Sequence, residues 1–517
     1  MQRARRRVMS LGSVVSAGLT ILGCDDHIAE IVQVRWKPCG LYECGSLELP
    51  QERHCEVENV KSISLRRRRA VSSSKQDVWL LPGGPGISGT QTLVTLMDVL
   101  HGELPDTNVY TLDAYGTGAS GHLTCREQES RESPGGSAIT SNEVGACLEA
   151  LRPCFFHELQ DYGFTGAARD LAAAIAATRE MAKPVVLYGI SAGTLWAQRL
   201  LVLDPTIVDA VVLESFVPPT FSSKSIDATA EGALERLLQL CLEADECARR
   251  LPNPFATVRS LWPALEAGHC AGLGQPMEEI QRRVFRLLSS YPWNSVIPAA
   301  MFRLERCNEA DVSFLRAVFG AEDDAGASSR FSSVLFQLVT ASELWDDPHR
   351  REEDYRTDMR AWTERSLLGR GAMGAVASET IAQWPRYDEP LDGIWPDVTM
   401  PMLIMHGELD PRIAPANTDE ARAHYRAPDQ GVLTFSYAPH HVVGATPARG
   451  GDCAARLLID FVDQHSLPTD QGCLAELVPP DFDGVTWGHA LLGVDSYWEG
   501  VPTGVSQYGS GAEPRSM

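Results

Sequence analysis

The sequence predicts an α/β architecture: a mostly parallel sheet flanked by helices and interrupted by an inserted helical unit. Three observations predict it. Short apolar runs alternate with amphipathic stretches from about residue 30 to residue 217, and again from residue 397. One strand-to-helix junction reads Gly189-Ile190-Ser191-Ala192-Gly193. From about Pro218 to Pro396 the rhythm becomes mostly helical. Strands alternating with helices at this spacing imply βαβ units and a parallel sheet.

The elements follow in order. Val78 to Leu81 reads as a buried strand ending at Pro82-Gly83-Gly84-Pro85-Gly86, and Val109 to Leu112 as a second ending at Asp113. Phe164 to Met181 is alanine-rich with apolar positions at helical spacing. Val185 to Tyr188 is a third strand, followed by the serine turn and a helix from Thr194 to about Leu203. Val208 to Leu213 is a fourth strand. Helical runs around Glu231 to Ala244, Met277 to Ser289 and Phe331 to Leu344 fill the insertion. Alternation then resumes with the strand Met402 to Met405, a helix near Asn417 to His424, the strand Val432 to Tyr437 and the helix Cys453 to Val462. The expected division is a leader over 1–24, a core in two parts over 30–217 and 397–475, a helical cap over 218–396 and a tail over 476–517.

Charge narrows the function. The 517 residues carry 45 basic and 68 acidic side chains, a formal net charge of -23, which argues against nucleic acid as partner. The basic run Arg66 to Arg69 reads as the end of a solvated strand or hairpin. Arg3 and Arg5 to Arg7 precede an apolar stretch from Val8 to about Leu22, too short to span a membrane and of signal-peptide dimensions. Its end, Leu22-Gly23-Cys24, resembles the lipobox of bacterial lipoproteins, which implies lipidation of Cys24, export and attachment to the cell envelope through that anchor alone. Setting Cys24 aside, the 13 cysteines leave an even set suited to disulfides in an oxidising compartment. Cys39 and Cys44 are close enough to bridge locally, as are Cys241 and Cys247, and Cys453 and Cys473 flank a helix-like segment. No cysteine or histidine cluster has zinc spacing, so neither a metal nor a cofactor is expected.

The serine turn carries the chemistry. A nucleophile standing on a sharp strand-to-helix turn needs small residues two positions to either side, as Gly189 and Gly193 are. The helix N-terminus beyond it favours developing negative charge. A serine needs a base, and the base an orienting acid. Downstream, the strand ending at Met405 runs into His406-Gly407-Glu408-Leu409-Asp410-Pro411, which makes Asp410 the expected acid and Glu408 its competitor. The next strand leads to Pro439-His440-His441, and one of these two histidines is the expected base. His406 lies before the acid and is set aside. An oxyanion needs preorganised donors. One is the backbone N–H of Ala192, and the glycine-rich loop Pro82 to Gly89 is suited to supply another. The turn Asp113 to Ser120 is expected to brace that loop.

Together these residues resemble the proline iminopeptidase and tripeptidyl aminopeptidase family of α/β-hydrolases. The matches are the oxyanion loop at Pro82 to Gly86, the D-x-x-G-x-G-x-S turn at Asp113 to Ser120, the elbow at Gly189 to Gly193, the acid loop at Gly407 to Asp410 and the late histidine at Pro439-His440. Trp36-Lys37-Pro38-Cys39 and the Cys453/Cys473 segment resemble the secreted bacterial branch, so the similarity spans roughly residues 36 to 475. The resemblance implies an α/β-hydrolase core with a helical cap. It implies that Ser191 attacks, His440 shuttles the proton with His441 as the alternative base, Asp410 orients His440, and the amides of Gly84 and Ala192 hold the oxyanion. It also makes Glu343 a cap acid that binds the free amine of the substrate. Four positions depart from the family: Pro439 stands before the histidine where glycine is usual, Ala192 follows the serine where tyrosine is usual, and Glu214-Ser215 replaces Asp-Gly. The expected activity is that of an exported serine aminopeptidase acting on small peptides. The rivals are an esterase or amidase acting on small esters or amides, and a catalytically silent binding protein on the same fold.

Overall fold

The structure, a computed structural model, describes residues 33–50, 60–130, 132–134, 139–155, 159–180, 183–319, 329–345, 357, 366–369 and 380–502. The leader over 1–24 and its Cys24 lie outside the described residues.

Among the described residues nine strands form one sheet: β1 (Arg35–Cys39), β2 (Tyr42–Pro50), β3 (Val60–Arg68), β4 (Gln76–Leu81), β5 (Thr107–Leu112), β6 (Val185–Ile190), β7 (Ala210–Glu214), β8 (Met402–Gly407) and β9 (Gln430–Phe435). Their spatial order is β1-β2-β3-β5-β4-β6-β7-β8-β9. The first three strands and the β3–β5 pairing are antiparallel, and from β5 through β9 every neighbour is parallel. The strand order reverses around β4, which has β5 on one side and β6 on the other. Crevices at the carboxyl ends of strands beside such a reversal are where ligands bind in open α/β sheets.

The largely apolar central strands follow from burial on both faces. Within β4, Trp79 and Leu81 face one apolar cluster while Val78 and Leu80 face another, the period of two that a strand imposes. Helices Phe164–Thr178 and Ala192–Leu203 cover the first face, and helices Val94–Glu103 and Cys453–Gln464 the second. The basic run ends β3, as the sequence predicts. Arg67 pairs with Glu43 at 2.5 Å and lies over the Trp36 ring, and Arg68 pairs with Asp98 at 2.7 Å.

The inserted helices, among them Ile226–Glu243, Pro254–Glu266, Met277–Leu288, Ile297–Arg306 and Glu309–Phe319, gather around an apolar cluster of their own. Two findings redraw the expected division. Helix Ser333–Glu343, assigned to the cap by its position in the chain, packs Val334, Leu335, Leu338 and Val339 into the sheet-side core. The tail, to which the sequence gives no role, packs Phe482, Leu491, Tyr497 and Trp498 into the core of the helical insertion. Fully buried Arg303 fastens it there, donating from Nε to the Tyr497 carbonyl at 2.7 Å and from Nη2 to the Gly500 carbonyl at 2.8 Å.

Among the described residues five disulfides join Cys39–Cys44, Cys125–Cys147, Cys241–Cys247, Cys270–Cys307 and Cys453–Cys473. Three are pairs whose spacing or flanking positions stand out in the sequence. Among the described residues no helix is long and apolar enough to cross a membrane.

Trp498 is fully buried, with its ring edge-on to Phe302. Trp498→Ala is expected to destabilise the protein by about 3 to 5 kcal/mol, the usual cost of emptying an aromatic site. Urea unfolding followed by circular dichroism measures it.

Candidate active site

Ser191 occupies the turn between β6 and helix Ala192–Leu203, at φ 54 and ψ -123. This is a strained conformation for a residue with a side chain, and the neighbours impose it. Its N–H donates to the Glu214 carbonyl at 2.9 Å, and its own carbonyl accepts from the Thr194 N–H at 2.8 Å. The flanking glycines are required by contact. A Cβ on Gly193 would lie 2.4 Å from the Leu81 carbonyl oxygen, and one on Gly189 would lie 2.5 Å from that of Gly193.

Asp410 follows β8 and is buried, whereas its competitor Glu408 is exposed. One Asp410 oxygen accepts the N–H groups of Arg412 at 2.8 Å and Ile413 at 3.0 Å. The other lies 2.8 Å from His440 Nδ1. Burial acts to raise the Asp410 pKa, but the His440 ring beside it and the hydrogen bonds it accepts win, bringing the carboxyl down to about 2. The acid therefore pairs with His440. His441 is exposed, its N–H donates to Ser215 Oγ at 2.9 Å, and its ring stands 4.6 Å from that of His440. His406 is fully buried behind the acid, with Nε2 3.8 Å from Asp410 and donating to the Ile413 carbonyl at 3.0 Å. Burial lowers its pKa. Ser191, Asp410 and His440 thus follow the carboxyl ends of parallel strands β6, β8 and β9, on one rim of the sheet.

The glycine-rich loop lies against Ser191. Gly83 comes closest, since a Cβ there would be 3.1 Å from Ser191 Cβ. Gly84, at φ 111, precedes a cis peptide bond to Pro85 and folds back so that a Cβ on it would meet the Gly86 nitrogen at 2.8 Å. Asp113 braces this loop as the sequence predicts. Its carboxylate accepts from Ser88 Oγ at 2.7 Å, Thr90 Oγ1 at 2.8 Å and the Ala119 N–H at 3.0 Å. Gly118, at φ 48, leaves room for it. The segment before helix Ser333–Glu343 also holds the loop, through Ser332 N–H to the Gly86 carbonyl at 2.9 Å and Ser88 N–H to the Arg330 carbonyl at 2.8 Å.

A narrow cavity opens here, with Gly83 and Ala192 on one side and Tyr162, Phe164, Leu335 and Val339 around it. None of these wall residues except Gly83 and Ala192 stands out in the sequence, because each reads as an ordinary core position. Glu343 is absent from the lining. Its side chain is buried behind the wall, accepting from the Phe164 N–H at 3.0 Å and the Tyr387 hydroxyl at 2.5 Å, with Arg199 at 3.4 Å. Burial raises its pKa to about 7 against the pull of Arg199 and Tyr387. Arg199 also pairs with Glu389 at 3.1 Å, which ties the segment before β8 to the helix that starts after Ser191.

The lowered Asp410 pKa has a consequence for stability. A carboxyl held below its ordinary value stabilises the fold above that value, near pH 4, and loses the contribution as pH falls toward 2. Wild type is expected to exceed Asp410→Asn by about 2 kcal/mol at neutral pH. The gap should close between about pH 4 and about pH 2, as denaturant unfolding across that range would show.

Residues 80–332 match the family model described as the alpha/beta hydrolase family. No curated protein matches the chain. Among solved structures, proline iminopeptidase from Mycobacterium smegmatis is similar at 15% identity, over 81% of this chain and 98% of that one, with a TM-score of 0.38. An esterase from Exiguobacterium antarcticum is similar at 13% identity, over 78% and 96%, with a TM-score of 0.33. A haloalkane dehalogenase loop variant from Bradyrhizobium elkanii is similar at 14% identity, over 82% and 97%, with a TM-score of 0.35. With its parallel sheet, its serine turn after β6 and the family match over residues 80–332, this chain has the α/β-hydrolase fold.

Proposed function

We propose that this α/β-hydrolase is a serine hydrolase working through an acyl-enzyme, with peptides bearing a free N-terminus as its substrates. The observation that carries the catalytic reading is the buried Asp410–His440 pair on the rim that holds Ser191. Ser191 Oγ attacks the substrate carbonyl carbon as its proton passes to His440 Nε2. Asp410 holds the Nδ1–H and stabilises the imidazolium. The oxyanion is held by the N–H of Ala192 and by the loop from Gly83 to Gly84. Collapse of the tetrahedral intermediate sends the proton from His440 to the leaving amine or alcohol. Water then repeats the sequence in reverse roles and releases the acid.

The peptide reading draws on the resemblance of the motifs alone, since Glu343 is buried behind the cavity wall against Arg199 and Tyr387. A second reading, an esterase for small apolar acyl groups, is favoured by the lining itself, which is glycine, proline and hydrophobic side chains. Chromogenic aminoacyl and tripeptidyl amides, assayed against p-nitrophenyl esters, separate the two. Blocking the substrate amine abolishes turnover under the first reading and leaves it unchanged under the second. Ser191→Ala is expected to lower turnover by about 10⁴-fold or more without unfolding the protein, and to lose labelling by a fluorophosphonate. A labelled Ser191→Ala protein would refute the assignment of the nucleophile.

The disulfides among the described residues fit an oxidising compartment, and the same reading has the chain exported and anchored through Cys24. Cys24→Ala is then expected to move the protein from the membrane to the soluble fraction.

A further inference from the structure

Glu214 takes no part in the chemistry just described, yet its main chain and side chain touch both halves of the site. It ends β7, and its side chain is buried between β6 and the segment after β9. One carboxylate oxygen accepts the N–H of Val442 at 2.6 Å and of Val443 at 2.9 Å. The other accepts the Tyr188 hydroxyl from β6. The Glu214 carbonyl accepts the Ser191 N–H at 2.9 Å. The next residue continues the clamp: Ser215, at φ 50, accepts the His441 N–H on its Oγ at 2.9 Å and donates its own N–H to the Met405 carbonyl at 2.8 Å. Three consecutive amides after His440 are therefore held by two consecutive residues of β7 and its end.

Burying a carboxyl among apolar strands is costly unless donors saturate it. Here two main-chain amides and a hydroxyl do so. The amides it takes belong to the loop that must hold an imidazole within hydrogen-bond reach of a hydroxyl on another strand. His441, the first clamped residue, sits at φ 68, so the chain turns sharply just past the imidazole. Errors of about 1 Å in such a position cost on the order of 100-fold in rate.

We propose that Glu214 is a positioning residue: by gripping the main chain of Val442 and Val443 while its carbonyl fixes Ser191, it sets the register between base and nucleophile. This rests on the Ser191–His440–Asp410 reading. The role belongs to the side chain length and its acceptors, so it separates from a general contribution to stability.

The test uses the whole chain and two probes, a fluorophosphonate for the labelling rate of Ser191 and p-nitrophenyl acetate for kcat and KM. Glu214→Asp withdraws the carboxylate by one methylene, and is expected to slow labelling and kcat by about 10-fold or more with KM within about threefold. Glu214→Gln keeps an oxygen for both amides, and is expected to retain about a third or more of the wild-type labelling rate. A folded Glu214→Asp that labels within twofold of wild type overturns the proposal, as does a KM rise with kcat unchanged. Should Glu214→Asp not fold, Tyr188→Phe frees one carboxylate oxygen without touching the loop. A labelling rate reduced about threefold supports the proposal and a wild-type rate overturns it. Failure of wild type to label at all would instead sink the triad reading on which the proposal rests.

Discussion

At Gly193 the helix that follows β6 comes so close to the end of β4 that no side chain fits between them. A Cβ there would stand 2.4 Å from the carbonyl oxygen of Leu81 and 2.7 Å from that of Pro82. The rest of the site inherits its geometry from this approach. It brings the glycine-rich loop after β4 to the serine, so that Gly83 lies against Ser191. It also forces the turn to be sharp, and Ser191 takes up the strain with a positive φ. Seven described non-glycine residues have a positive φ: Ser191, Ser215, Tyr437 and His441 stand past the carboxyl ends of β6, β7 or β9, and Cys270, Cys307 and His465 lie elsewhere. Four strained turns on one rim of a sheet, held by the rigid strands below, suit a preorganised site.

Three buried carboxylates do the holding. Asp113 gathers the hydroxyls and amides of the loop beside the serine. Asp410 takes two amides of its own turn and one imidazole nitrogen. Glu214 takes two amides of the histidine loop. Each would be expensive to bury alone, and each is offset by charge-assisted hydrogen bonds to loops that would otherwise be free to move. Carboxylates suit this work because each offers two oxygens and only accepts, while main-chain amides only donate.

Much of this was legible in residues whose types leave little choice. Gly189, Gly193 and Ser191 between a β-branched run and a helical run are read as an elbow because few other structures need that pattern. Asp410 and His440 were legible because acid and base must follow the serine at strand ends. The choice between His440 and His441 was not, since adjacent residues differ only in which way the turn sends each ring. Asp410 Oδ2 at 2.8 Å from His440 Nδ1 decides the pairing. Glu343 shows the opposite failure. The family resemblance makes this carboxylate a partner for a substrate amine, yet it is buried against Arg199 and Tyr387, groups distant in sequence.

By itself, then, the sequence determined what is local: strand and helix periods, the small residues of the turns, and the order of serine, acid and histidine along the chain. The tertiary structure alone decided which long-range neighbours each polar side chain meets. It sent helix Ser333–Glu343 to the sheet rather than to the insertion, and carried Trp498 into the core of helices some 200 residues earlier, where Phe302 meets its ring. The physical reason is that apolar burial has no direction. A hydrophobic stripe records that a segment will be covered, and only packing against a particular partner settles by what.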